Sequence, residues 1–212
     1  MNSCLMLAVN LSTPIDLNSV IREDDLKGDG IIQDSHITII YGKEMRIPVD
    51  EVLPSISESL GNEEYLVFSE VLKDSYKFKV LNLFELDVFE RDKYDYLILR
   101  LKAGNEVYDK LSQINKRLES KWNITSDFPT YNPHITLAEL IPGSGREYLS
   151  NNILLKVLGD SKVGLEDLVM SYGEDGGPFD KWNVTTYHAV ERLFREKRSE
   201  ERRVGKECRS RW

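Results

Sequence analysis

The chain has 212 residues, of which 41% are hydrophobic and 30% are charged, and it carries a formal net charge of −8 at pH 7. This length and apolar content suit one domain, or one domain of two lobes. The sequence has no apolar run of about 18 residues and no basic segment followed by an apolar one, which argues against a membrane span or a signal peptide. Cys4 and Cys208 stand at opposite ends and offer neither a disulfide framework nor a metal-site spacing, so a cytoplasmic location is expected.

The end of the chain differs in composition from the rest. We expect residues 1–195 to form the domain and residues 196–212 to be a non-native, disordered tail, because Arg198 to Trp212 resembles a translated sequencing-adapter oligonucleotide. The alternative is a natural basic tail for nucleic acid. Residues 198–212 hold six of the 28 basic and three of the 36 acidic residues, so the remainder has a net charge of −11. That charge argues against long nucleic acid as the main ligand, whereas a small anion can still bind local donors in a concave site.

The predicted elements follow one order twice along the chain. In chain order they are a strand at 4–11, a short helix from Thr13 to about Arg22, a polar loop at 23–30, a strand at 35–41, a helix at 49–60, strands at 65–68, 76–80, 84–89 and 96–101, a helix at 105–121, a strand at 132–140, a helix at 146–158, and strands at 165–172 and 181–187. This order predicts an α+β fold of two pseudo-symmetric lobes. Their antiparallel sheets, flanked by helices, are expected to face each other across a central cleft.

Two of these strands carry the same short motif. The first reads His36-Ile37-Thr38 and the second reads His134-Ile135-Thr136, although the chain has only three histidines and seven threonines. Alternate residues of a strand point to the same face, so each motif places an imidazole beside a hydroxyl. Imidazole exchanges a proton near neutral pH, and a hydroxyl donates a hydrogen bond to an anionic oxygen. Two such units facing each other could cleave a phosphodiester, one histidine acting as base and the other as acid, without a metal ion.

The paired motifs resemble those of the two-histidine (2H) phosphoesterases, which include the 2′-5′ RNA ligase-like group. Ser35 to Gly42 is similar to the first motif of phage-encoded members, and Tyr131 to Gly145 is similar to their second motif and the turn after it. Ser3 to Leu7 is similar to their first strand, and the resemblance covers about residues 3–190. It implies the two-lobed 2H fold and a phosphodiesterase that needs no metal ion or cofactor. His36 and His134 would be catalytic, with Thr38 and Thr136 on the phosphate.

The resemblance also implies a class of substrate. Phage members include enzymes that cleave the cyclic oligonucleotide messengers of bacterial anti-phage (CBASS) immunity, so immune evasion in the cytoplasm of a bacterial host is the expected role. A 2′,3′-cyclic phosphodiesterase of RNA processing and an inactive module that sequesters cyclic nucleotides are the alternatives. The intact His/Thr pairs favour an enzyme, because binding alone does not need two proton-transfer groups. A monomer or small homo-oligomer is expected.

Several other side chains are candidates at the site. Tyr131, just before the second motif, and Trp182, on the last strand, are candidates to stack on a base of the substrate, and packing in the core or at its rim is the alternative for each. Side chains alternate between the two faces of a strand, so Tyr41 is predicted to point away from the face that carries His36 and Thr38. His188 lacks a threonine partner and is expected to be structural or exposed, and Arg146 is expected to be a solvated surface residue.

Overall fold

The computed structural model describes residues 1–11, 16–61, 78–125, 130–173 and 180–184. The strands are β1 (Asn2–Leu11), β2 (Leu26–Ile31), β3 (His36–Gly42), β4 (Phe78–Lys79), β5 (Phe84–Glu90), β6 (Asp95–Leu101), β7 (His134–Leu140), β8 (Lys162–Gly173) and β9 (Asp180–Asn183). The α-helices are α1 (Val49–Leu60), α2 (Val80–Leu83), α3 (Glu106–Trp122) and α4 (Asn152–Asp160). Short 3-10 helices cover Leu17–Ser19, Glu23–Asp25 and Gly145–Ser150. Within these ranges no helix combines the length and the apolar character needed to cross a membrane.

The strands form two antiparallel sheets, which confirms the α+β prediction. The first sheet has the order β3-β1-β8-β4, and β9 also pairs with β8. The second sheet has the order β2-β7-β6-β5. Each sheet therefore holds one motif strand: β3 lies at the edge of the first sheet, and β7 lies inside the second.

The helices cover the sheets through apolar stripes. Helix α3 buries Val107, Leu111, Ile114 and Leu118, which are spaced three or four residues apart and so share one side of the helix. Its first turn is capped by Asn105, whose side chain accepts a hydrogen bond from the main-chain N–H of Tyr108 at 2.9 Å. Helix α3 packs against α1 and against β3, so the core lies directly behind the first motif strand.

Three predicted elements differ in the structure. The predicted loop at 23–30 is largely strand β2, which pairs with β7 although it has few apolar residues. The predicted helix at 146–158 is split at Asn151, whose side chain accepts hydrogen bonds from Ile153 and Leu154 at 3.0 Å and starts α4. The described part of the predicted helix that ends near Arg22 contains only the 3-10 helix Leu17–Ser19. The predicted strand at 65–68, His188 and the tail at 196–212 lie outside the described residues.

Candidate active site

The two motif strands have matching patterns of burial. His36 is the first residue of β3 and His134 is the first residue of β7. Both histidines and both motif threonines are half-buried, while the isoleucine between them is fully buried in each strand. The alternation expected from the sequence is confirmed at both motifs: one face enters the core, and the other carries the imidazole and the hydroxyl.

Both imidazoles are fixed by the same main-chain contact. Nδ1 of His36 lies 2.8 Å from the carbonyl oxygen of Asp34, and Nδ1 of His134 lies 2.8 Å from that of Asn132. A carbonyl oxygen only accepts hydrogen bonds, so each Nδ1 carries the proton and donates it. Nε2 is then the nitrogen that can take or give a proton in both rings. The equal offset of two residues makes the two anchors structurally equivalent.

A β-bulge follows the threonine in each motif strand. In β3 the pairing with β1 passes from Thr38–Met6 to Ile40–Leu5, and Ile39 is the extra residue. In β7 the pairing with β6 passes from Thr136–Ile98 to Ala138–Leu97, leaving Leu137 as the extra residue. Both bulges thus lie three residues after the histidine. A bulge shifts the alternation of side chains by one, so the residue five places after each histidine returns to the motif face.

The bulge overturns the expected orientation of Tyr41. Tyr41 pairs with Cys4, and Thr38 pairs with Met6. Cys4 and Met6 are two residues apart on one face of β1, so Tyr41 lies on the same face as Thr38 and His36. Simple alternation along β3 predicts the opposite side because the sequence does not reveal an inserted residue. The equivalent residue of the second motif is Glu139 on β7.

His134 is partly enclosed by an aromatic side chain. The rings of Phe89 and His134 meet edge to face, with their centroids 4.8 Å apart and a 75° angle between them. Burial lowers the pKa of His134 from its usual value, the hydrogen bond to Asn132 opposes this, and the charge that His36 can carry lowers it further. A neutral His134 is therefore favoured. Strands β3 and β7 are also in contact.

Charged groups next to His36 are paired. Lys181 on β9 forms an ion pair with the carboxylate of Asp34, the residue whose carbonyl holds His36. The pKa of Asp34 is lowered by this hydrogen bond and charge, and also by the positive charge of His36. The ion pair therefore ties the residues just before β3 to β9.

The threonine of the first motif contacts a buried thiol. Sγ of Cys4 lies 3.9 Å from Oγ1 of Thr38, and burial raises the pKa of Cys4 to about 11. A thiol with so high a pKa stays protonated at neutral pH, so it is not a nucleophile there. Its role at the site is to pack against Thr38.

Arg100 is a residue near the site that the sequence reasoning missed. It pairs directly with His134 across β6 and β7, so the two residues share a face. Its guanidinium contacts Glu85 at 2.7 Å and Asp87 at 3.2 Å on β5. The alternating apolar and polar residues of β5 and β6, which are joined by a short turn, predict that Glu85 lies opposite Arg100. The pairing of Arg100 with His134 cannot be predicted in this way, because it depends on the register between β6 and β7.

Two predicted base-stacking residues have different surroundings. The hydroxyl of Tyr131 donates a hydrogen bond to the main-chain carbonyl of Thr38 at 2.9 Å, and its ring packs against the core. Burial raises the pKa of Tyr131. Trp182 lies in β9, where its main chain pairs with that of Met170 in β8. Its side chain lies outside the described residues. Base stacking by either residue stays a prediction. Arg146 is exposed and forms an ion pair with Glu90, so it is a surface residue.

Within the described ranges, no three His, Cys, Asp or Glu side chains are grouped so that they could hold a metal ion. No protein-family model and no curated protein matches the chain.

Proposed function

We propose that this chain is a metal-independent phosphodiesterase that hydrolyses small cyclic nucleotides or cyclic oligonucleotides, with His36 and His134 as its acid–base pair. The observation that supports it most is the equivalence of the two motifs. Each histidine donates Nδ1–H to the carbonyl two residues before it, at 2.8 Å, and presents Nε2. Two neutral histidines buried for packing alone would not need the same anchor, the same threonine and the same bulge.

In the proposed reaction, the Nε2 atoms of the two histidines carry out the two proton transfers. A neutral histidine takes a proton from the attacking water, whose oxygen forms a bond to phosphorus. The bond from phosphorus to the leaving oxygen breaks, and Nε2–H of the protonated histidine transfers its proton to that oxygen. The product is a phosphomonoester, and the two histidines have exchanged protonation states. In this reaction the hydroxyls of Thr38 and Thr136 donate hydrogen bonds to the non-bridging phosphate oxygens.

The proposal includes the finer architecture expected from the sequence. In it, the two sheets belong to pseudo-symmetric lobes, and the motif faces line a cleft between them. The matching anchors and bulges of β3 and β7 support this arrangement. The resemblance to phage-encoded 2H phosphoesterases adds the biological part: degradation of immune cyclic oligonucleotides in the cytoplasm of a bacterial host.

Turnover of a panel of substrates tests the proposal. Cyclic di- and trinucleotides and 2′,3′-cyclic mononucleotides are incubated with wild type, His36→Ala and His134→Ala. Each variant should lose activity by about 10²–10⁴-fold, the usual contribution of a general acid or base. His188→Ala, which removes the third histidine, is the matched control and should retain activity. Full activity in either motif variant would contradict the acid–base assignment.

The same panel separates the alternatives. Cleavage of mononucleotides alone would place the protein in RNA processing, and tight binding of cyclic oligonucleotides without cleavage would make it a sponge. Hydrolysis should persist in EDTA. Activity that is lost on chelation and restored by a divalent ion would contradict the metal-independent mechanism.

A further inference from the structure

An exposed tyrosine lies on the motif face beyond the first histidine and threonine. The bulge at Ile39 turns Tyr41 to the side of His36 and Thr38, as its pairing with Cys4 shows. Tyr41 is 43% exposed, and it is the only exposed large aromatic residue among the side chains that the structure describes. Cys4, its partner, also touches the hydroxyl of Thr38. One sheet face thus presents, in sequence, an imidazole, a hydroxyl and an aromatic ring.

The spacing of these groups matches the size of a nucleotide. The partners of Thr38 and Tyr41 on β1 are two residues apart, a distance of about 6.6 Å along a strand. A phosphate held by the threonine therefore has an aromatic surface within the reach of a ribose and its base. Every nucleobase has a planar face that can stack on such a ring.

The equivalent position in the other motif is occupied differently. Glu139, the residue that its bulge turns to the motif face, accepts a hydrogen bond from the main-chain N–H of Asp29 at 2.9 Å. Strand β2 approaches so closely that a Cβ on Gly28 would lie 1.9 Å from the same carboxylate oxygen. A carboxylate covered by a neighbouring strand cannot stack on a base and repels phosphate. The two motifs, which share their anchors and bulges, therefore differ at this position.

We propose that Tyr41 forms a nucleobase-binding subsite, in which its ring stacks on a base of the substrate whose phosphate lies at Thr38. This inference rests on the proposed function, which supplies the phosphate position. The substrate class follows as a nucleotide with an accessible base face next to the scissile phosphate. Stacking is tolerant of base identity, so the subsite contributes affinity and orientation more than a choice among bases.

Binding of a product-like nucleotide tests the subsite without turnover. Dissociation constants for adenosine 3′-monophosphate and for inorganic phosphate are measured by calorimetry with wild type, Tyr41→Phe and Tyr41→Leu. Tyr41→Leu should weaken nucleotide binding by about tenfold, the lower part of the range for one stacked base, and leave phosphate binding unchanged. Tyr41→Phe keeps the ring and should bind both as wild type does. Ile153→Ala, which removes another exposed apolar side chain, is the surface control.

The outcomes distinguish the subsite from the proposed reaction. Unchanged nucleotide affinity in Tyr41→Leu, or an equal loss for nucleotide and phosphate, would overturn the subsite even if cyclic nucleotides are hydrolysed. A nucleotide-specific loss in a protein that hydrolyses nothing would support the subsite and overturn the proposed reaction.

Discussion

The hydroxyl of Tyr131 donates a hydrogen bond to the main-chain carbonyl of Thr38 at 2.9 Å. This contact joins the segment that enters the second motif to the strand of the first, because Tyr131 stands three residues before His134. Strand β3 is an edge strand, and its outer carbonyls need partners from elsewhere. The side chain of Asn115 is a second such partner. It donates a hydrogen bond at 2.9 Å to the main-chain carbonyl of Ile39, the bulged residue. The geometry of the first motif is therefore maintained by side chains outside it.

Removing the hydroxyl of Tyr131 should affect both stability and activity. Tyr131→Phe leaves the carbonyl of Thr38 without this donor and should lower the free energy of unfolding by about 1 kcal/mol, measured by urea denaturation. It should also reduce kcat, because the two motif strands lose one of their connections. Tyr172→Phe is the matched control, since its buried hydroxyl donates to the carbonyl of Ile47 at the far end of the first sheet. An equal loss of stability with unchanged kcat in both variants would contradict the linking role of Tyr131.

Substitution of Asn115 tests the support of the bulge. Asn115→Leu and Asn115→Asp both remove the donor to Ile39, and each should destabilise the fold by about 1–3 kcal/mol. At neutral pH the Asn115→Asp variant should be the less stable of the two, because its carboxylate faces the carbonyl oxygen of Ile39 and the carboxylate of Glu119, to which Asn115 also donates at 3.3 Å. On acidification the introduced carboxyl group becomes protonated and can donate again, so the stability of that variant should recover relative to Asn115→Leu. If the difference between the variants does not change with pH, the contact with Ile39 does not support the bulge.

The positions of the two motifs could be predicted because alternation and repetition are visible in a string of residues. Strands β3 and β7 and helices α1 and α3 could be predicted for the same reason, since their apolar residues follow regular periods. The orientation of Tyr41 could not be predicted, because one extra residue in a strand moves every side chain after it to the opposite face of the sheet. The residues of β2 resemble a loop because its pairing with β7 comes from main-chain contacts and not from apolar side chains. The relation of Arg100 to His134 was hidden in the register between distant strands.

Shortening Phe89 should change the titration of His134. Burial lowers the pKa of His134, so the folded state resists its protonation and loses stability as the pH falls below the usual histidine value of 6.5. Phe89→Ala exposes one side of the His134 imidazole to water and should raise the pKa of His134. Phe89→Leu keeps an apolar side chain against the imidazole and should raise the pKa less. The chain has three histidines, so imidazole NMR signals can be followed one by one, with the other two as references.

The same variants give a catalytic readout that loss of packing alone would not produce. If His134 must be neutral for the reaction, the acidic limb of the pH–rate profile should move to higher pH in Phe89→Ala. Phe78→Ala, on β4, removes a half-buried ring elsewhere and should leave the limb in place. A limb that stays fixed while kcat falls would show that Phe89 acts only on stability.

The close approach of β2 to the second motif can be measured with two glycines of the same strand. Gly28 has φ +62° and Gly30 has φ +65°, so alanine at either position should cost about 1–2 kcal/mol through left-handed backbone strain. A Cβ at Gly30 meets nothing within 4 Å, whereas one at Gly28 would displace the Glu139 carboxylate from the N–H of Asp29. Gly28→Ala should therefore destabilise more than Gly30→Ala by about 1 kcal/mol, the value of one hydrogen bond. In a Glu139→Ala background the difference between the two glycine substitutions should shrink to the cost of the remaining contact, 3.3 Å between the Cβ at position 28 and Cε1 of Tyr94. An undiminished difference in that background would show that the Glu139 contact is not its cause.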